Sequence, residues 1–290
     1  MKNPYGNVVL ITGASSGIGE TTARMLAERG FRVYGASRKV PPEFDPAYES
    51  DGHGFFKPLR LDVTDEASVR QAVERVLGAE GRIDILINCA GTGIAGAVED
   101  CSGEDARRQM DTNFAGPIRL MAAVLPGMRA RRSGLIINIG SVGGIFPIPF
   151  QTLYSASKAA LDVLTDGLRV ELRPWGVKAT LIAPGDIKTG FTAARMYSER
   201  AGATEYGKPY RASIAQMEYD ETNGASPEII ARAIISAIKR KNPPVRIVVG
   251  FQYKVFACLK RIMPDRAVGA ILNMMYPMSG AADRAAEVKD

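Results

Sequence analysis

Short apolar segments alternate along the chain with longer helical patterns, and this alternation restricts the fold more than any other feature. We predict strands from apolar runs at 8–11, 33–36, 56–61, 83–87, 135–139, 179–183 and 247–249. The helical patterns between them lie at 18–29, 66–80, 104–131, 153–173 and 227–240. Several strands are apolar throughout, as strands covered on both faces of a parallel sheet are. The order predicts an α/β fold, a Rossmann-like doubly wound parallel sheet of about seven strands with helices on both faces.

Composition and charge exclude several classes of function. The chain has 37 basic and 31 acidic residues without a basic run, so we expect no nucleic-acid partner. Its cysteines, Cys89, Cys101 and Cys258, show neither paired nor metal-ligand spacing, which favours free thiols and no metal site. The single histidine, His53, lies in a polar stretch and is interpreted as a loop residue. We therefore expect neither a Ser-His-Asp triad nor a histidine-rich metal site.

The N-terminal residues predict a cytoplasmic protein. They enter an apolar strand without the long apolar core or the cleavage site of a signal peptide. No run of about 18 uncharged apolar residues occurs in the chain, so a membrane-spanning helix is not expected. Attachment to a membrane surface stays open.

A glycine-rich turn joins the first predicted strand to the first predicted helix. It reads TGASSGIG and places six candidate phosphate-binding residues at the helix start: Gly13, Ser15, Ser16, Gly17, Ile18 and Gly19. Glycines let the backbone approach a pyrophosphate, and the unpaired N–H groups of the first helical turn face it. A glycine motif alone is weak, but at this strand-to-helix turn it indicates dinucleotide binding.

The spacing of these glycines resembles that of the short-chain dehydrogenase/reductase family, and further motifs follow in the family's order over about residues 7–250. Leu61-Asp62-Val63 resembles the turn that contacts adenine, and Asn88-Cys89-Ala90-Gly91 resembles the Asn-Asn-Ala-Gly motif, with Cys89 replacing the second asparagine. Segment 184–189 resembles the loop that contacts the nicotinamide carboxamide. The resemblance implies cofactor contacts from Asp62, Val63, Asn88, Ala90, Gly91, Pro184, Gly185, Ile187 and Thr189.

Four residues match the family's catalytic order: Asn113, Ser141, Tyr154 and Lys158. Tyr154 and Lys158 are four residues apart and share one helix face, where a nearby ammonium would lower the tyrosine pKa. By itself such a pair more often indicates a surface tyrosine and a solvated lysine. The resemblance implies that Tyr154 is the acid/base, that Lys158 also binds the nicotinamide ribose, that Ser141 orients the carbonyl, and that Asn113 kinks its helix and supports a proton relay.

The end of the second strand bears on cofactor choice. Ser37-Arg38 stands where an acidic residue would bind the ribose hydroxyls of NAD. Serine avoids repulsion of a 2′-phosphate, and arginine offers it a charged fork. We therefore expect NADP(H) as the cofactor, with NAD(H) as the weaker alternative. If it has no role in binding, Arg38 is an ordinary solvated arginine at the end of a strand.

These motifs divide the chain by role. We expect 1–250 to form the dinucleotide-binding catalytic domain, including a substrate lid at 185–225, and 251–290 to form a C-terminal helical extension of the same domain. The lid is rich in aromatic residues and methionine, which favours a bulky lipophilic ketone such as a steroid, retinoid or acyl ketone. The same residues could instead pack the lid itself.

Partners other than substrate are predicted from two apolar helices. Five apolar residues on the helix of Asn113, namely Leu120, Met121, Val124, Leu125 and Met128, suggest a homodimer or homotetramer. The amphipathic segment 251–278 favours packing beside the lid or in a subunit contact, with weak membrane-surface contact as the alternative. The whole tail resembles hydroxysteroid- and retinol-type members of the family.

Two other functions stay open from the sequence. A nucleotide-sugar epimerase or dehydratase also uses a Tyr-x-x-x-Lys pair on this fold, although the glycine spacing, the short C-terminal region and Ser37-Arg38 count against it. A non-catalytic redox sensor would bind NADP(H) to regulate a partner. The four matched catalytic residues argue against such a sensor.

Overall fold

The structure is a computed structural model that describes residues 3–39, 48–49 and 54–276. The prediction made for His53 lies outside the described residues. The strands are β1 (Val8–Thr12), β2 (Arg32–Ser37), β3 (Tyr48–Glu49), β4 (Phe55–Arg60), β5 (Ile85–Asn88), β6 (Ile94–Ala95), β7 (Gly134–Ile139), β8 (Val177–Ala183), β9 (Met196–Tyr197) and β10 (Arg246–Val248). The helices are α1 (Gly17–Ala27), α2 (Glu66–Glu80), α3 (Gly103–Met110), α4 (Gly116–Ala130), α5 (Thr152–Leu172), α6 (Gly207–Thr222), α7 (Glu228–Ile238), α8 (Phe251–Lys260) and α9 (Asp265–Met275).

The main sheet confirms the predicted doubly wound fold. Its strand order is β10-β8-β7-β5-β1-β2-β4-β3, and each pairing is parallel except that of β3 with β4. The chain winds outward from β1 in one direction through β2 and β4, and then in the other through β5, β7, β8 and β10. The strand order therefore reverses between β1 and β5, where doubly wound folds bind ligands at the carboxyl edge.

Both faces of the sheet are covered, which explains why the central strands are apolar throughout. Val9 and Ile11 of β1 pack into a cluster with α1 and α7. The alternating residues Val8 and Leu10 pack into a second cluster with α2, α4 and α5. Each face of a strand thus contributes to a separate apolar layer.

Two helical predictions need correction, and the predicted lid 185–225 contains a helix, α6. The predicted helix 104–131 is divided by a π-helical turn, Asp111–Ala115, between α3 and α4. The C-terminal segment is divided into α8 and α9, with Pro264 immediately before α9. Proline cannot donate a helical hydrogen bond, so it ends the preceding helix.

The apolar side chains of α4 do not support a subunit contact. Leu120, Met121, Val124 and Met128 are buried in the second sheet cluster, and Leu125 is partly buried against it. The apolar pattern of this helix in the sequence is therefore explained by packing in the core of the subunit. Among the described residues, no helix is long and apolar enough to cross a bilayer.

Candidate active site

The glycine-rich turn lies at the carboxyl end of β1 and leads directly into α1. Gly13 and Gly17 have φ values of +68° and +55°, which favour glycine. A Cβ on Gly19 would lie 2.2 Å from the Gly13 carbonyl oxygen. The helix therefore meets the turn at a distance that only glycine allows.

The first turn of α1 keeps its donors available. Ser16 is the N-cap residue of α1, and its side chain makes no capping hydrogen bond. The N–H groups of this turn and the positive end of the helix dipole face the crevice that the strand order creates. Ser15 and Ser16 are exposed, and Ile18 packs partly against the sheet core. These features fit a pyrophosphate.

The predicted motif after β5 packs against this turn. The backbone N–H groups of Cys89 and Ala90 each donate to Thr12 Oγ1 at 3.1 Å, and a Cβ on Gly13 would lie 2.9 Å from Ala90 Cα. Thr12 was not among the predicted site residues, although it directly precedes Gly13. It joins the carboxyl ends of β1 and β5 at the strand-order reversal.

Asn88 is placed differently from its neighbours in that motif. Its side chain is buried and donates to Asn138 Oδ1 at 2.8 Å, and Asn138 donates in turn to Thr165 Oγ1 at 2.9 Å. The Asn88 side chain therefore joins β5 to β7 within the sheet. A cofactor contact from Asn88 stays a prediction.

Ser141, Tyr154 and Lys158 come together beyond the end of β7. Ser141 precedes a 3₁₀ turn and its Oγ accepts from Gly143 N at 2.9 Å. A Cβ on Gly143 would lie 3.2 Å from Ser141 Oγ and 3.4 Å from Tyr154 Cε1, so this glycine lies close to both side chains. Lys158 Nζ lies 5.8 Å from the centre of the Tyr154 ring.

Lys158 is held by the sheet. Its Nζ donates to the Ile139 carbonyl oxygen at 2.8 Å, and the residue is 6% exposed. Burial lowers the pKa of Lys158 from its ordinary value of 10.5 to about 8, because a charged ammonium is costly away from water.

Asn113 occupies the π-helical turn between α3 and α4. Its Oδ1 accepts from Thr92 N at 2.9 Å, and its Nδ2 donates to Thr92 O at 2.9 Å and to Ser157 Oγ at 3.0 Å. A Cβ on Gly91 would lie 3.5 Å from both Asn113 Oδ1 and Lys158 Nζ. Gly91 therefore lies beside both Asn113 and Lys158.

The predicted effect on the Tyr154 pKa is wrong for this structure. Burial raises the pKa of Tyr154 to about 12, the nearby Ser141 hydroxyl and Arg195 oppose the rise, and the charges of Glu221 and Asp186 add to it. The i, i+4 spacing suggested a lowering by Lys158. The ammonium instead hydrogen bonds to the Ile139 carbonyl, so Tyr154 is a protonated phenol at neutral pH.

The predicted adenosine end lies along the carboxyl ends of β2 and β4. Arg38 is exposed, and Ser37 Oγ donates to the Lys39 carbonyl oxygen at 2.5 Å. Partial burial opposes ionisation of Asp62, but hydrogen bonds from Thr64 and the charges of Arg38 and Arg119 lower its pKa. Val63 is buried beside Gly116. Arg38 therefore has a side chain accessible to a ligand and an acid within electrostatic reach.

The segment after β8 closes the other side of the crevice. Pro184, Gly185 and Ile187 follow the strand, and a Cβ on Gly17 would lie 3.1 Å from Thr189 Cβ. The glycine-rich turn and the predicted carboxamide loop are therefore adjacent. The fold thus brings together two distant parts of the chain, each of which was separately predicted to contact the cofactor.

One aromatic side chain of the lid, that of Phe191, packs against Tyr154, the candidate acid. The ring centres of Phe191 and Tyr154 are 5.7 Å apart. Two other lid aromatics and a methionine pack together instead: Tyr206, Tyr210 and Met217 join Phe150 in a separate apolar cluster. The alternative that these residues pack the lid itself is correct for this group.

A buried ion pair, absent from the sequence predictions, also holds the lid. Arg195 Nη2 lies 2.6 Å from Glu221 Oε1 with its side chain fully buried, and Thr192 Oγ1 donates to Glu221 Oε2 at 2.5 Å. Neither residue belongs to a recognisable motif. Their pairing depends on the position of α6, which the sequence did not predict.

The arrangement fits a nicotinamide dinucleotide and proton transfer. The glycine-rich turn offers close backbone approach and the uncapped α1 offers donors. Arg38, Ser141 and the segment of Thr189 follow the carboxyl ends of β2, β7 and β8, at the same edge of the sheet. Among the described residues, no group of histidine, cysteine, aspartate and glutamate side chains could hold a metal ion.

Comparisons with known proteins agree with this geometry. A family model described as short chain dehydrogenase matches residues 7–199. The chain is 44% identical over 271 residues to 3-ketodihydrosphingosine reductase of Bacteroides thetaiotaomicron, covering 93% of this chain and 97% of that protein. It is 36% identical over 276 residues to human 17-beta-hydroxysteroid dehydrogenase type 1, covering 91% and 82%. The crystal structure of a short-chain dehydrogenase from Streptomyces avermitilis matches with a TM-score of 0.76 and 29% identity over 98% of each chain.

Proposed function

Because this chain belongs to the short-chain dehydrogenase/reductase family, whose members bind nicotinamide cofactors, we propose that it is an NADP(H)-dependent reductase of a bulky lipophilic ketone. The observation that carries the proposal is the protonated Tyr154 phenol beside Ser141, at the edge of a crevice that fits a dinucleotide. A proton donor in that position suits reduction of a carbonyl to a secondary alcohol.

The residues of the site have separate tasks in this reaction. When bound at this site, a nicotinamide cofactor would supply the hydride. Ser141 orients the substrate carbonyl, and Tyr154 gives its phenolic proton to the carbonyl oxygen as negative charge develops there. Phe191 packs against the Tyr154 ring and adds an apolar wall beside it.

Lys158 and Asn113 support the proton donor. Lys158 binds the nicotinamide ribose and stabilises negative charge near Tyr154, and its place beside Gly91 and Asn113 suits proton supply after each turnover. The three hydrogen bonds of the Asn113 side chain hold the π-helical turn against Thr92 and α5. In this scheme Asn113 is a positioning residue.

A preference for NADP(H) follows from Arg38. The side chain is exposed at the end of β2, where it would pair with a 2′-phosphate, and Ser37 places no carboxylate against that phosphate. A charge-assisted contact of this kind gives about a 10- to 100-fold preference in kcat/KM. Ser37→Asp with Arg38→Ile should reverse it, because the new carboxylate would repel the phosphate and accept from the ribose hydroxyls of NAD. Equal kcat/KM for NADPH and NADH in the unchanged protein would contradict this assignment.

The substrate class is proposed from the relatives and from the walls of the site. The named substrate of the 44% identical relative is a ketone on a long-chain amino alcohol, and that of the 36% identical relative is a steroid. Phe191, Phe146 and Phe256 provide apolar surface near Tyr154 and α8. We favour a long-chain amino ketone, with a steroid ketone as the second candidate. Epimerase, dehydratase and sensor functions receive no support from these relatives.

Turnover of defined ketones tests the proposal. NADPH absorbance would be followed with 3-ketodihydrosphingosine, a steroid ketone, a retinoid, an acyl ketone and a sugar ketone at matched ionic strength. We expect the long-chain amino ketone to give the highest kcat/KM. Preference for the sugar ketone, or no turnover of any ketone, would contradict the proposed function.

We further propose a homo-oligomeric, cytoplasmic protein that contacts membrane surfaces weakly. Val163 and Val170, each 73% exposed, share one face of α5 and suit a subunit contact.

The C-terminal segment suits contact with anionic lipid, because it combines basic residues with exposed apolar ones. The exposed apolar residues are Phe251, Ile262 and Met274, at 84%, 78% and 76% exposed. Sedimentation equilibrium and co-sedimentation with phosphatidylglycerol or phosphatidylcholine vesicles test these two contacts. A monomer that binds neither vesicle would contradict both.

A further inference from the structure

Asp186 lies at the mouth of the candidate active site. It follows Pro184 and Gly185 at the carboxyl end of β8, and the ring of Tyr253 on α8 covers Gly185 so closely that a Cβ there would lie 1.9 Å from a ring carbon. The Tyr253 hydroxyl donates to Asp186 Oδ2 and accepts from Asp186 N at 3.2 Å. These two hydrogen bonds fix the carboxylate between the β8 edge and the C-terminal helix.

No cation of the described chain neutralises this carboxylate. Within residues 3–39, 48–49 and 54–276, Asp186 forms no ion pair, and the hydrogen bond from Tyr253 is the one its carboxylate accepts. Glu221 differs, because Arg195 and Thr192 engage its two oxygens. Glu221 is therefore paired with a cation of the chain, whereas Asp186 is partly buried without one. Burying a charge without a paired cation costs free energy.

Asp186 is also close enough to act on the reacting centre. Its charge contributes, after larger effects, to the raised pKa of Tyr154, and it contributes likewise to the raised pKa values of Tyr253 and Tyr276. Tyr276 packs against the lid cluster. The carboxylate thus contacts Tyr253 and lies within electrostatic reach of Tyr154 and Tyr276. Carboxylate and aromatic faces together are the chemistry that binds an organic ammonium.

We propose that Asp186 binds the ammonium group of the substrate and makes the enzyme selective for amino ketones over neutral ketones. The proposal rests on the proposed function, which it deepens by assigning a residue to the substrate's charged group. An amino group close to the carbonyl would lie toward Asp186 while the carbonyl oxygen faces Ser141 and Tyr154, and the alkyl chain would continue along the apolar side of α8.

Asp186→Asn is the appropriate variant. Its amide oxygen can still accept from Tyr253, so α8 keeps its hydrogen bond while the negative charge is lost. For 3-ketodihydrosphingosine we expect kcat/KM to fall about 10- to 100-fold, as for loss of a charge-assisted contact. For the ketone of equal length without the amino group, the change should stay within about threefold. Asp186→Glu should retain part of the selectivity.

Asp220→Asn is the matched control. Asp220 is a partly exposed acid on α6 that accepts from Gln216 Nε2 at 2.9 Å, so its replacement removes one negative charge from the same region without altering the hydrogen bonds of Asp186. We expect this variant to leave both kcat/KM values unchanged. Equal losses for the amino ketone and the neutral ketone in Asp186→Asn, or equal losses of selectivity in both variants, would overturn the proposal.

A binding measurement separates this proposal from the proposed function. Calorimetric titration of the full chain, saturated with oxidised cofactor, would compare octylammonium with 1-octanol. We expect octylammonium to bind more tightly, and Asp186→Asn to remove that difference. If no ketone is turned over but the difference is present and depends on Asp186, the proposed function fails and the ammonium site stands. If ketones are turned over and the two ligands bind equally, the ammonium site fails alone.

Discussion

Lys158 destabilises the folded protein at neutral pH, and replacing it should therefore stabilise the fold while removing activity. The ammonium is buried and its pKa falls from 10.5 to about 8. At about 1.4 kcal/mol for each pH unit, this difference corresponds to about 3 kcal/mol of unfavourable free energy at pH 7. Lys158→Met keeps the length of the chain and removes the charge, but it forfeits the hydrogen bond to Ile139 O, which contributes about 1 to 2 kcal/mol. We expect a net gain of about 2 kcal/mol.

The pH dependence identifies the cause of that gain. Between pH 8 and pH 10.5 the unfolded state binds more protons at Lys158 than the folded state does, so wild-type stability rises with pH in this window. The advantage of Lys158→Met should accordingly shrink by about 2 to 3 kcal/mol between pH 7 and pH 10 and disappear there.

Urea unfolding at pH 7 and pH 10 measures both effects. Lys239→Met serves as the control, because Lys239 is exposed and its removal changes net charge without relieving burial. Lys158→Met should also lose most of its reductase activity and part of its cofactor affinity. Unchanged or lower stability at pH 7, or a gain that is the same at pH 10, would refute the reasoning.

Two further substitutions address the acid and the cofactor turn. Tyr154→Phe should lower kcat about 10²- to 10⁴-fold while NADPH affinity, measured by fluorescence titration, stays within about threefold; substantial turnover would remove Tyr154 from its role. Gly19→Ala should weaken NADPH binding at least about 10-fold and cost about 1 to 3 kcal/mol in urea unfolding, because the new Cβ would lie 2.2 Å from the Gly13 carbonyl oxygen. Normal affinity in Gly19→Ala would show that the turn tolerates a side chain.

The sequence predicted the central sheet well because each strand is apolar for a simple reason. Val8 through Ile11 face two separate helical layers in alternation, so every position must be apolar, and this pattern is visible without coordinates. The glycine-rich turn was equally visible, since its position between strand and helix limits its role. Residues placed after successive parallel strands necessarily meet at one edge.

The elements that the sequence did not predict depend on contacts between distant segments. The π-helical turn at 111–115 is held by hydrogen bonds from Asn113 to Thr92 and Ser157, and no local pattern marks it. The pairing of Arg195 with Glu221 requires α6. The contact of Tyr253 with Asp186 joins residues that no motif relates. Side-chain chemistry could be assigned from local motifs, but the closure of the mouth could not.

The state of Tyr154 shows why the local rule and the fold give opposite answers, and it bears on the direction of the reaction. Spacing along a helix places an ammonium near the phenol, which by itself lowers a tyrosine pKa. In the fold both groups leave water, and their pKa values move in the directions that favour the neutral forms, to about 12 for Tyr154 and about 8 for Lys158. A neutral phenol can donate a proton and cannot accept one. This is the protonation state that the proposed reduction uses, whereas oxidation of an alcohol would first require the proton to leave Tyr154.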